Sequence, residues 1–432
     1  MRRSAQISAA LRGWLPLLQA FRTRSFTLLW TGQTISVLGD AVFTIAITWE
    51  VLLLTGSATA MGLLVIAQWT PKVLLLLYGG VIADRLPRRL LMLWADIGRG
   101  CIVIGVAWLS ALHRLQFSHL LVLAPVYGIV SSFFDPAYQA ILPQLMGEEL
   151  LTSGNALTTL SRNGGFLHGS MLGAGSITLF GPASAFAFDG LTFFFSAFFL
   201  LVLRLPPGST TARPAPSRVS SEAAEGIEPS RNALLEAREG LSYVWHTRWL
   251  RAILLLSALA ILGVTGAMWV ALPRLVRDVY RSGVWLLGAM AMADAVGSII
   301  AALLLGKART LRRRGRTACT ALICAGVGLL ICAVPFAGPL IAIPASALVG
   351  SGMAAFLIIW TTLQQQKVPD VMLGRVSSIT QVGMAAPLPI GLMLAGWLTD
   401  YIGPARVFAF GGILVLGSAM LALCIHEIRL LE

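Results

Sequence analysis

Charged residues are scarce in this sequence. Only 12% of its 432 residues are Asp, Glu, Lys or Arg, whereas 57% are hydrophobic and the mean hydropathy is +0.81. A soluble globular domain carries about 25% charged residues. The deficit excludes an ordinary soluble protein and predicts a chain whose solvent is lipid.

Cysteine and acidic residues are also few. The five cysteines lie inside apolar runs without Cys-x-x-Cys spacing, which excludes a disulfide framework and a zinc site. We expect no metal and no cofactor. The 19 acidic residues leave a net charge of +13. Because the basic residues punctuate apolar runs instead of gathering on a polar face, nucleic acid is excluded as a partner.

Twelve apolar runs reach the length of about 20 residues that crosses a hydrocarbon core of about 30 Å. We expect an all-α membrane protein of twelve transmembrane helices, with spans at 26–53, 59–82, 89–112, 118–137, 156–180, 184–203, 249–272, 284–306, 317–335, 340–363, 376–401 and 405–425. Of the 32 lysines and arginines, 25 fall on one side of these runs and five on the other. Positive loops stay in the cytoplasm, so both termini are expected there.

A polar, proline-rich segment divides the chain into two halves. Residues 204–248 have a composition that cannot form a packed core. They predict a cytoplasmic linker, whose part 232–245 suits an interfacial helix. Two pseudo-symmetric six-helix bundles follow, at 1–203 and 249–432. The first begins with an amphipathic cytoplasmic lead-in and not a cleaved signal peptide, because Gly13 and Pro16 break its apolar patch.

The loop after the second run carries the most specific motif. Its members are Gly80, Asp84, Arg85, Arg88 and Arg89. A glycine permits close helix approach, an acid suits the positive N-terminal end of a helix, and arginines hold a loop in the cytoplasm. The pattern Gly-x-x-x-Asp-Arg-x-x-Arg-Arg resembles the signature loop of the major facilitator superfamily of transporters. The resemblance implies a conformational gate, in which Asp84 meets the N-terminal end of helix 11 near Arg375.

Further stretches carry a narrower resemblance. They are 26–40, Leu54-Thr55-Gly56-Ser57, Ala140-Ile-Leu-Pro143 and Gly374-Arg375-Val-Ser-Ser. They resemble a bacterial branch of that superfamily, the macrolide-efflux and enterobactin-exporter group. The resemblance implies a monomeric, multi-pass protein of the bacterial inner membrane that exports an amphipathic small molecule, such as a drug, macrolide or siderophore, by proton antiport.

Two positions depart from related proton antiporters. Where those carry an arginine four residues before a glycine in helix 4, this chain has Ala124 before Gly128, and Ser170 replaces their helix 5 proline. Close helix packing is expected without the kink, because the sequence keeps a ladder of small residues at Gly165, Gly169 and Gly173. Proton coupling is therefore expected to rest on other groups.

Ionisable residues inside a membrane span are costly and mark functional candidates. Asp40 and Lys72 lie at similar depths in helices 1 and 2, so a buried pair is expected, with either a coupling or a structural role. His168 and Asp294 lie near mid-depth in helices 5 and 8. We expect these two to approach and separate as the halves rock, which changes their proton affinity. The alternative is that His168 bonds a helix carbonyl and Asp294 caps a water.

The remaining intramembrane charges are predicted to be structural. Asp96 and Arg99, spaced i, i+3 near the cytoplasmic end of helix 3, are expected to satisfy each other in a network with the acid of the signature loop. Glu50, Asp189 and Asp400 are predicted to lie nearer the outer surface, where water solvates them.

Methionine and aromatic residues recur in the helices that line the cavity of the resembled family. Core packing explains any one of them, but as a set such soft side chains suit a pocket for apolar substrates of varied shape. The candidates are Met268, Trp269, Met290, Met292, Met353, Trp360 and Met384.

Other functions are weighed against export. No Gly-x-x-x-x-Gly-Lys-Ser/Thr occurs, so an ATP-driven pump needs a partner chain. A lipid or lysophospholipid flippase and a solute uptake carrier stay open, since the same fold serves them. An intramembrane enzyme is not expected, because neither Gly-x-Gly-Asp nor His-Glu-x-x-His is present.

Overall fold

The computed structural model describes residues 19–85, 87–146, 148–204, 229–307, 313–335 and 338–429, and this part of the chain is helical apart from short connections. The helices of the first half are α1 (Arg24–Thr55), α2 (Ala58–Arg85), α3 (Arg88–Ala111), α4 (Phe117–Ser132), α5 (Phe134–Leu145), α6 (Glu148–Phe180) and α7 (Pro182–Val202). A further helix, α8 (Pro229–His246), covers the predicted interfacial segment.

The second half continues the pattern. Its helices are α9 (Arg248–Thr265), α10 (Val284–Lys307), α11 (Arg314–Ala333), α12 (Gly338–Lys367), α13 (Asp370–Ala385), α14 (Leu388–Ile402) and α15 (Pro404–Cys424). Each of the twelve predicted runs coincides with helical backbone. Within the described ranges, ten helices are long and apolar enough to cross a membrane. The runs at α2 and α6 are not among them, so the count of twelve spans stays a prediction.

Proline breaks two of the predicted runs. The run 118–137 is divided at Phe133, because Pro136 has no N–H to bond the carbonyl of Ser132 and its ring clashes with that carbonyl. The run 376–401 is divided just before Leu388 for the same reason, at Pro387. The first break matters for function, because it starts α5 beside Asp135.

The helix α9 is longer than the sequence predicts. It continues through two π-helical stretches, Gly266–Ala271 and Leu275–Val279, which flank the turn Leu272–Arg274. Pro273 cannot donate a backbone hydrogen bond, and wider π turns accommodate such an interruption. The apolar segment therefore extends to Val279 and carries Arg274 with it.

Contacts divide the chain into two compact units. Unit 1 comprises Met1–Glu50 and Ala67–Ser217, and unit 2 comprises Val51–Ile66 and Arg218–Glu432. The first turns of α2 therefore pack within unit 2, although they belong in sequence to the first half. The predicted division of the chain into two bundles and a linker stays a prediction.

In unit 1, the small-residue ladder of α6 packs directly on α1. A Cβ atom on Gly169 would lie 2.6 Å from the Cβ of Ala41, and one on Gly173 would lie 3.1 Å from the Cα of Val42. Both distances leave too little room for a larger side chain. The close packing expected from the sequence is confirmed at this interface.

In unit 2, glycines likewise set the helix spacing. A Cβ atom on Gly263 of α9 would lie 2.9 Å from the carbonyl oxygen of Gly411 on α15. A Cβ atom on Gly350 of α12 would lie 2.8 Å from a carboxylate oxygen of Asp294 on α10. Small residues thus bring the backbones of membrane helices close enough for dispersion contacts to hold them together.

Candidate functional site

Unit 1 contains a polar cavity of about 130 Å³. Helices α1, α3, α5 and α6 line it. The charged residues that line the cavity are Asp40, Arg99, Asp135 and Arg162. An ionisable residue that faces an internal cavity of a membrane bundle is a functional candidate by default. Asp40 was predicted as such a candidate from the sequence, whereas the other three were not.

Arg99 is the most enclosed cation of the cavity. Its side chain is 8% exposed and forms an ion pair with the buried Asp96. The rings of Phe134 and Phe193 lie 4.3 and 4.4 Å from its guanidinium carbon. Aromatic faces stabilise a guanidinium that has lost water, so the pair and the two rings together compensate for the burial of this charge.

A short hydrogen-bond chain completes the pair. Ser196 donates to the Asp96 carboxylate at 2.7 Å, and the side-chain amide of Gln33 donates to Ser196 at 2.8 Å. The prediction that Asp96 and Arg99 satisfy each other is confirmed, but Arg99 also reaches the cavity. The sequence held a signal for this role that was not used. Arg99 lies about 16 Å along α3 from Arg88, at 1.5 Å per residue, and is therefore well inside the helix.

Asp40 faces the same cavity from α1. It is half-buried, and within the part of the chain that the structure describes no hydrogen bond reaches its carboxylate. Its main-chain carbonyl accepts a hydrogen bond from the hydroxyl of Thr44 at 2.8 Å. Asp40 therefore lies near the middle of the apolar helix α1, with a carboxylate that is open to the cavity.

The expected Lys72–Asp40 pair is wrong. Lys72 pairs instead with Asp135, at an Nζ to Oδ2 distance of 3.3 Å, and it lies 5.6 Å from the centre of the Trp69 ring. The physical reason is the break at Phe133, which places Asp135 at the start of α5, in reach of α2. Depth along two helices, from which the pair was predicted, does not give the direction in which a side chain points.

Two acids that were predicted to be solvated are buried. Asp189 is fully buried, and neither carboxylate oxygen has a hydrogen-bond partner among the described residues. A Cβ atom on Gly39 would lie 2.5 Å from one of these oxygens. Glu50 is also buried, and Ser110 donates to it at 3.4 Å. The prediction of solvation is wrong for both acids, because neighbouring helices cover these faces.

His168 and Asp294 lie in different units. His168 is exposed, and its Nδ1 donates to the carbonyl of Gly164 at 2.8 Å. This is the helix-carbonyl bond that the sequence left open as the alternative. Asp294 is half-buried beside Gly350. Their predicted approach and separation stays a prediction.

The signature loop is described in part. The surroundings of Gly80 and the side chains of Asp84 and Arg85 lie outside what the structure describes, and so does the predicted contact of Asp84. Arg88 is half-buried. Arg89 donates from Nε to the carbonyl of residue 200 and from Nη2 to that of residue 201, both at 2.6 Å. It thereby satisfies carbonyls at the C-terminal end of α7, which a helix leaves without intrahelical partners.

Arg375 is fixed by the interfacial helix. Its guanidinium donates to Glu239 of α8 at 2.6 Å. Gly240 of α8 also packs on α13, because a Cβ atom on Gly240 would lie 2.6 Å from Ile379 and 3.0 Å from Arg375. The linker helix α8 is thus docked on α13 through a charge and a close backbone approach.

Asp400 holds the first turn of α2 in unit 2. Its carboxylate accepts hydrogen bonds from the backbone N–H groups of Ala58 and Thr59 at 2.8 and 2.9 Å, and from the hydroxyls of Ser57 and Thr59. Arg274 completes an ion pair with it. A carboxylate at a helix N-terminus satisfies unpaired N–H groups and the helix dipole, so the predicted structural role fits.

The methionine and aromatic candidates differ in burial. Met290 and Trp360 are buried in the core of unit 2, and Trp360 packs edge-on against Trp249 at 6.3 Å. These two fit the core-packing alternative. Trp269 is 49% exposed. The remaining candidates are half-buried, namely Met268, Met292, Met353 and Met384.

Comparisons with known proteins agree on one family. The sequence model described as Major Facilitator Superfamily matches residues 29–391. Macrolide efflux protein A of Streptococcus pyogenes is 24% identical over 411 residues, which cover 94% of this chain and 97% of that protein. The multidrug efflux pump Tap of Mycolicibacterium fortuitum is 26% identical, with 91% and 94% covered. The enterobactin exporter EntS of Shigella dysenteriae is 25% identical, with 97% and 96% covered.

Solved structures show the same fold. A POT family transporter in complex with 5-aminolevulinic acid superposes with a TM-score of 0.70 at 12% identity, over 94% of this chain and 97% of that one. The nucleoside transporter NupG superposes with a TM-score of 0.69 at 10% identity, over 93% and 100%. At such identities the likeness concerns the fold alone.

Proposed function

Because the chain belongs to the Major Facilitator Superfamily, we propose that it is a secondary transporter that exports an amphipathic small molecule by proton antiport with alternating access. The observation that carries this proposal is the polar cavity of unit 1, where Asp40 and Arg99 face an internal space of a membrane bundle. Relatives that are named as macrolide, multidrug and enterobactin exporters support the direction of transport.

The topology follows from charge. Twelve spans, two cytoplasmic termini and a place in the bacterial inner membrane are proposed, because the basic residues concentrate on one side of the apolar runs. The protein is proposed to act as a monomer.

Asp40 is the leading candidate for the proton carrier. A carboxylate that changes between a wet cavity and a closed helix interface changes its affinity for a proton. The polar cavity lies on one side of Asp40, and Arg99, which lines the same cavity, is already neutralised by Asp96. Lys72, His168 and Asp294 are kept as further coupling candidates. Of these candidates, His168 is exposed and bonds a carbonyl of its own helix.

The conformational gate is assigned to the signature loop and to Arg375 of α13. Gly80, Asp84, Arg85, Arg88 and Arg89 form one side of it, and Arg375 marks the other. Two observations support the assignment. Arg89 is fixed on the end of α7, and Arg375 is fixed by Glu239. Charges held in this way do not drift as helix ends separate, so a loop acid such as Asp84 has a defined place to bind.

A substrate pocket in unit 2 is proposed to form from the half-buried methionines and Trp269. Methionine adapts its shape to apolar groups, and Trp269 offers a large exposed ring. Met290 and Trp360 are expected to support this pocket from the core.

Export is tested with the purified protein in proteoliposomes. A panel of macrolides, other amphipathic drugs, a siderophore and a lysophospholipid is assayed for direction of flux, with and without a proton uncoupler. Outward flux of an amphipathic compound that collapses on uncoupling is expected. Flux of lysophospholipid alone favours a flippase, inward flux favours an uptake carrier, and flux that ignores the uncoupler excludes protons as the driving ion.

The Lys72–Asp135 pair predicts a measurable coupling. Lys72→Met and Asp135→Asn are each expected to lower thermal stability in detergent. The double variant is expected to recover about 1 kcal/mol relative to additivity, because removal of both charges leaves neither without a partner. The matched cycle pairs Lys72→Met with Asp40→Asn and is expected to be additive. A larger coupling in the Asp40 cycle contradicts the observed pairing.

A further inference from the structure

Another cavity of unit 1 is lined by arginines. It has a volume of about 470 Å³ and lies where α1 and α3 begin and α7 ends. Its basic residues are Arg24, Arg89 and Arg204, and none of the described residues that line it is acidic. Within the described ranges, none of the three takes part in an ion pair. The cavity therefore carries three positive charges that no acidic residue in the described part of the chain pairs with.

Hydrogen bonds fix the walls of this arginine cavity. Arg89 uses Nε and one Nη2 hydrogen for the two carbonyls of α7, and the other hydrogens of the five that a guanidinium carries remain for a ligand. Ser25 donates to the carbonyl of Arg204 at 2.8 Å, which ties the start of α1 to the residues after α7. The guanidinium of Arg89 and the main chain of Arg204 are thus held in place before any ligand binds.

The arginines lie at the ends of membrane spans. Arg24 is the first residue of the span Arg24–Thr55, Arg89 is the second of Arg88–Ala111, and Arg204 follows Pro182–Val202 by two residues. Span ends lie at the level of lipid headgroups. Leu201 and Val202 also line the cavity and are 56% and 41% exposed. They offer apolar surface beside the charges.

We propose that the arginine cavity binds the phosphate headgroup of an anionic phospholipid. Guanidinium groups match phosphate oxygens in a bidentate manner, and basic pockets between membrane helices select anionic headgroups. A soluble phosphate compound shares this headgroup chemistry, but it makes no use of the exposed Leu201 and Val202. A lipid supplies a phosphate group for the arginines and an acyl chain for Leu201 and Val202. The site is separate from the polar cavity and does not depend on which solute is exported.

The test measures binding of fluorescent phosphatidylglycerol to the full-length protein in detergent. Arg24→Gln is expected to weaken binding about fivefold, and Arg24→Gln with Arg204→Gln about twenty-five-fold, since each arginine near a headgroup contributes about the same factor. The matched control, Arg114→Gln with Arg406→Gln, removes the same charge from two exposed positions outside the cavity and is expected to leave binding within twofold. Arg89 is left intact, because its bonds to α7 support the fold.

Three outcomes overturn the proposal. In the first, phosphatidylcholine binds as tightly as phosphatidylglycerol. In the second, the control weakens binding as much as the cavity variant, which indicates a general charge effect. In the third, inorganic phosphate or glycerophosphoglycerol displaces the lipid at the concentration at which unlabelled phosphatidylglycerol does so, which assigns the site to a soluble anion. If the double variant does not fold, the fivefold effect of Arg24→Gln against Arg114→Gln decides the question.

Discussion

Asp40→Asn is expected to abolish proton movement that is driven by substrate, while the protein still folds and binds substrate. The reason is that asparagine keeps the size and polarity of Asp40 but cannot carry a proton. In proteoliposomes, acidification on addition of substrate is expected to fall to the level of empty liposomes, at least tenfold below the wild-type rate. Exchange of labelled for unlabelled substrate, which needs no net proton movement, is expected to persist.

Glu50→Gln is the matched control for Asp40→Asn. Glu50 lies on the same helix α1 and is buried, but it does not line the polar cavity. Its replacement is expected to leave the proton rate near that of the wild type. If Asp40→Asn also acidifies liposomes at the wild-type rate, the carrier lies elsewhere. Asp294→Asn and Asp189→Asn are then the next variants to measure.

Arg99→Met is expected to lower the free energy of unfolding by about 3–5 kcal/mol. Arg99 is the ion-pair partner of the fully buried Asp96, and removal of one member leaves an uncompensated charge in the bundle. Methionine fills much of the space between Phe134 and Phe193, so the effect reports the charge and not a cavity. Thermal and denaturant unfolding in detergent measure it.

Arg162→Met is the control for this loss. Arg162 lines the same cavity but is exposed, and its replacement is expected to change stability by less than about 1 kcal/mol. Adding Asp96→Leu to Arg99→Met is expected to restore a large part of the lost stability, because both buried charges are then gone. Equal losses for Arg99→Met and Arg162→Met contradict the role of the buried pair.

Much of the fold was predictable because lipid imposes a simple rule on sequence. Backbone groups in a membrane must be satisfied within each segment, so every long apolar run was expected to be a helix, and helices are present at all of the predicted runs. The close packing at the glycine ladder of α6 was equally predictable from the sequence, because only small residues permit the observed approach of Ala41 and Gly169. Local interactions decide both features.

The candidate site was less predictable, because an apolar sequence gives no signal for the direction of a side chain around its helix. Lys72 was paired with Asp40 from its predicted depth, yet its partner is Asp135, which the break at Phe133 brings within reach. Asp189 was expected in water, yet it is fully buried beside Gly39. Nothing in the sequence of α7 itself shows whether Asp189 faces water or is buried.

The sequence by itself determined that this chain is a membrane protein built of helices, which charges lie within long apolar runs and which loop carries the family motif, since composition, run length and spacing are properties of one segment at a time. Only the tertiary structure decided that Asp40, Arg99 and Asp135 line one cavity. Only it decided that Asp400 caps α2 and that Arg24, Arg89 and Arg204 share another cavity. These groupings join residues on different helices. They depend on how the helices are rotated and packed, and that rotation is set by close contacts such as those of Gly39 and Gly169.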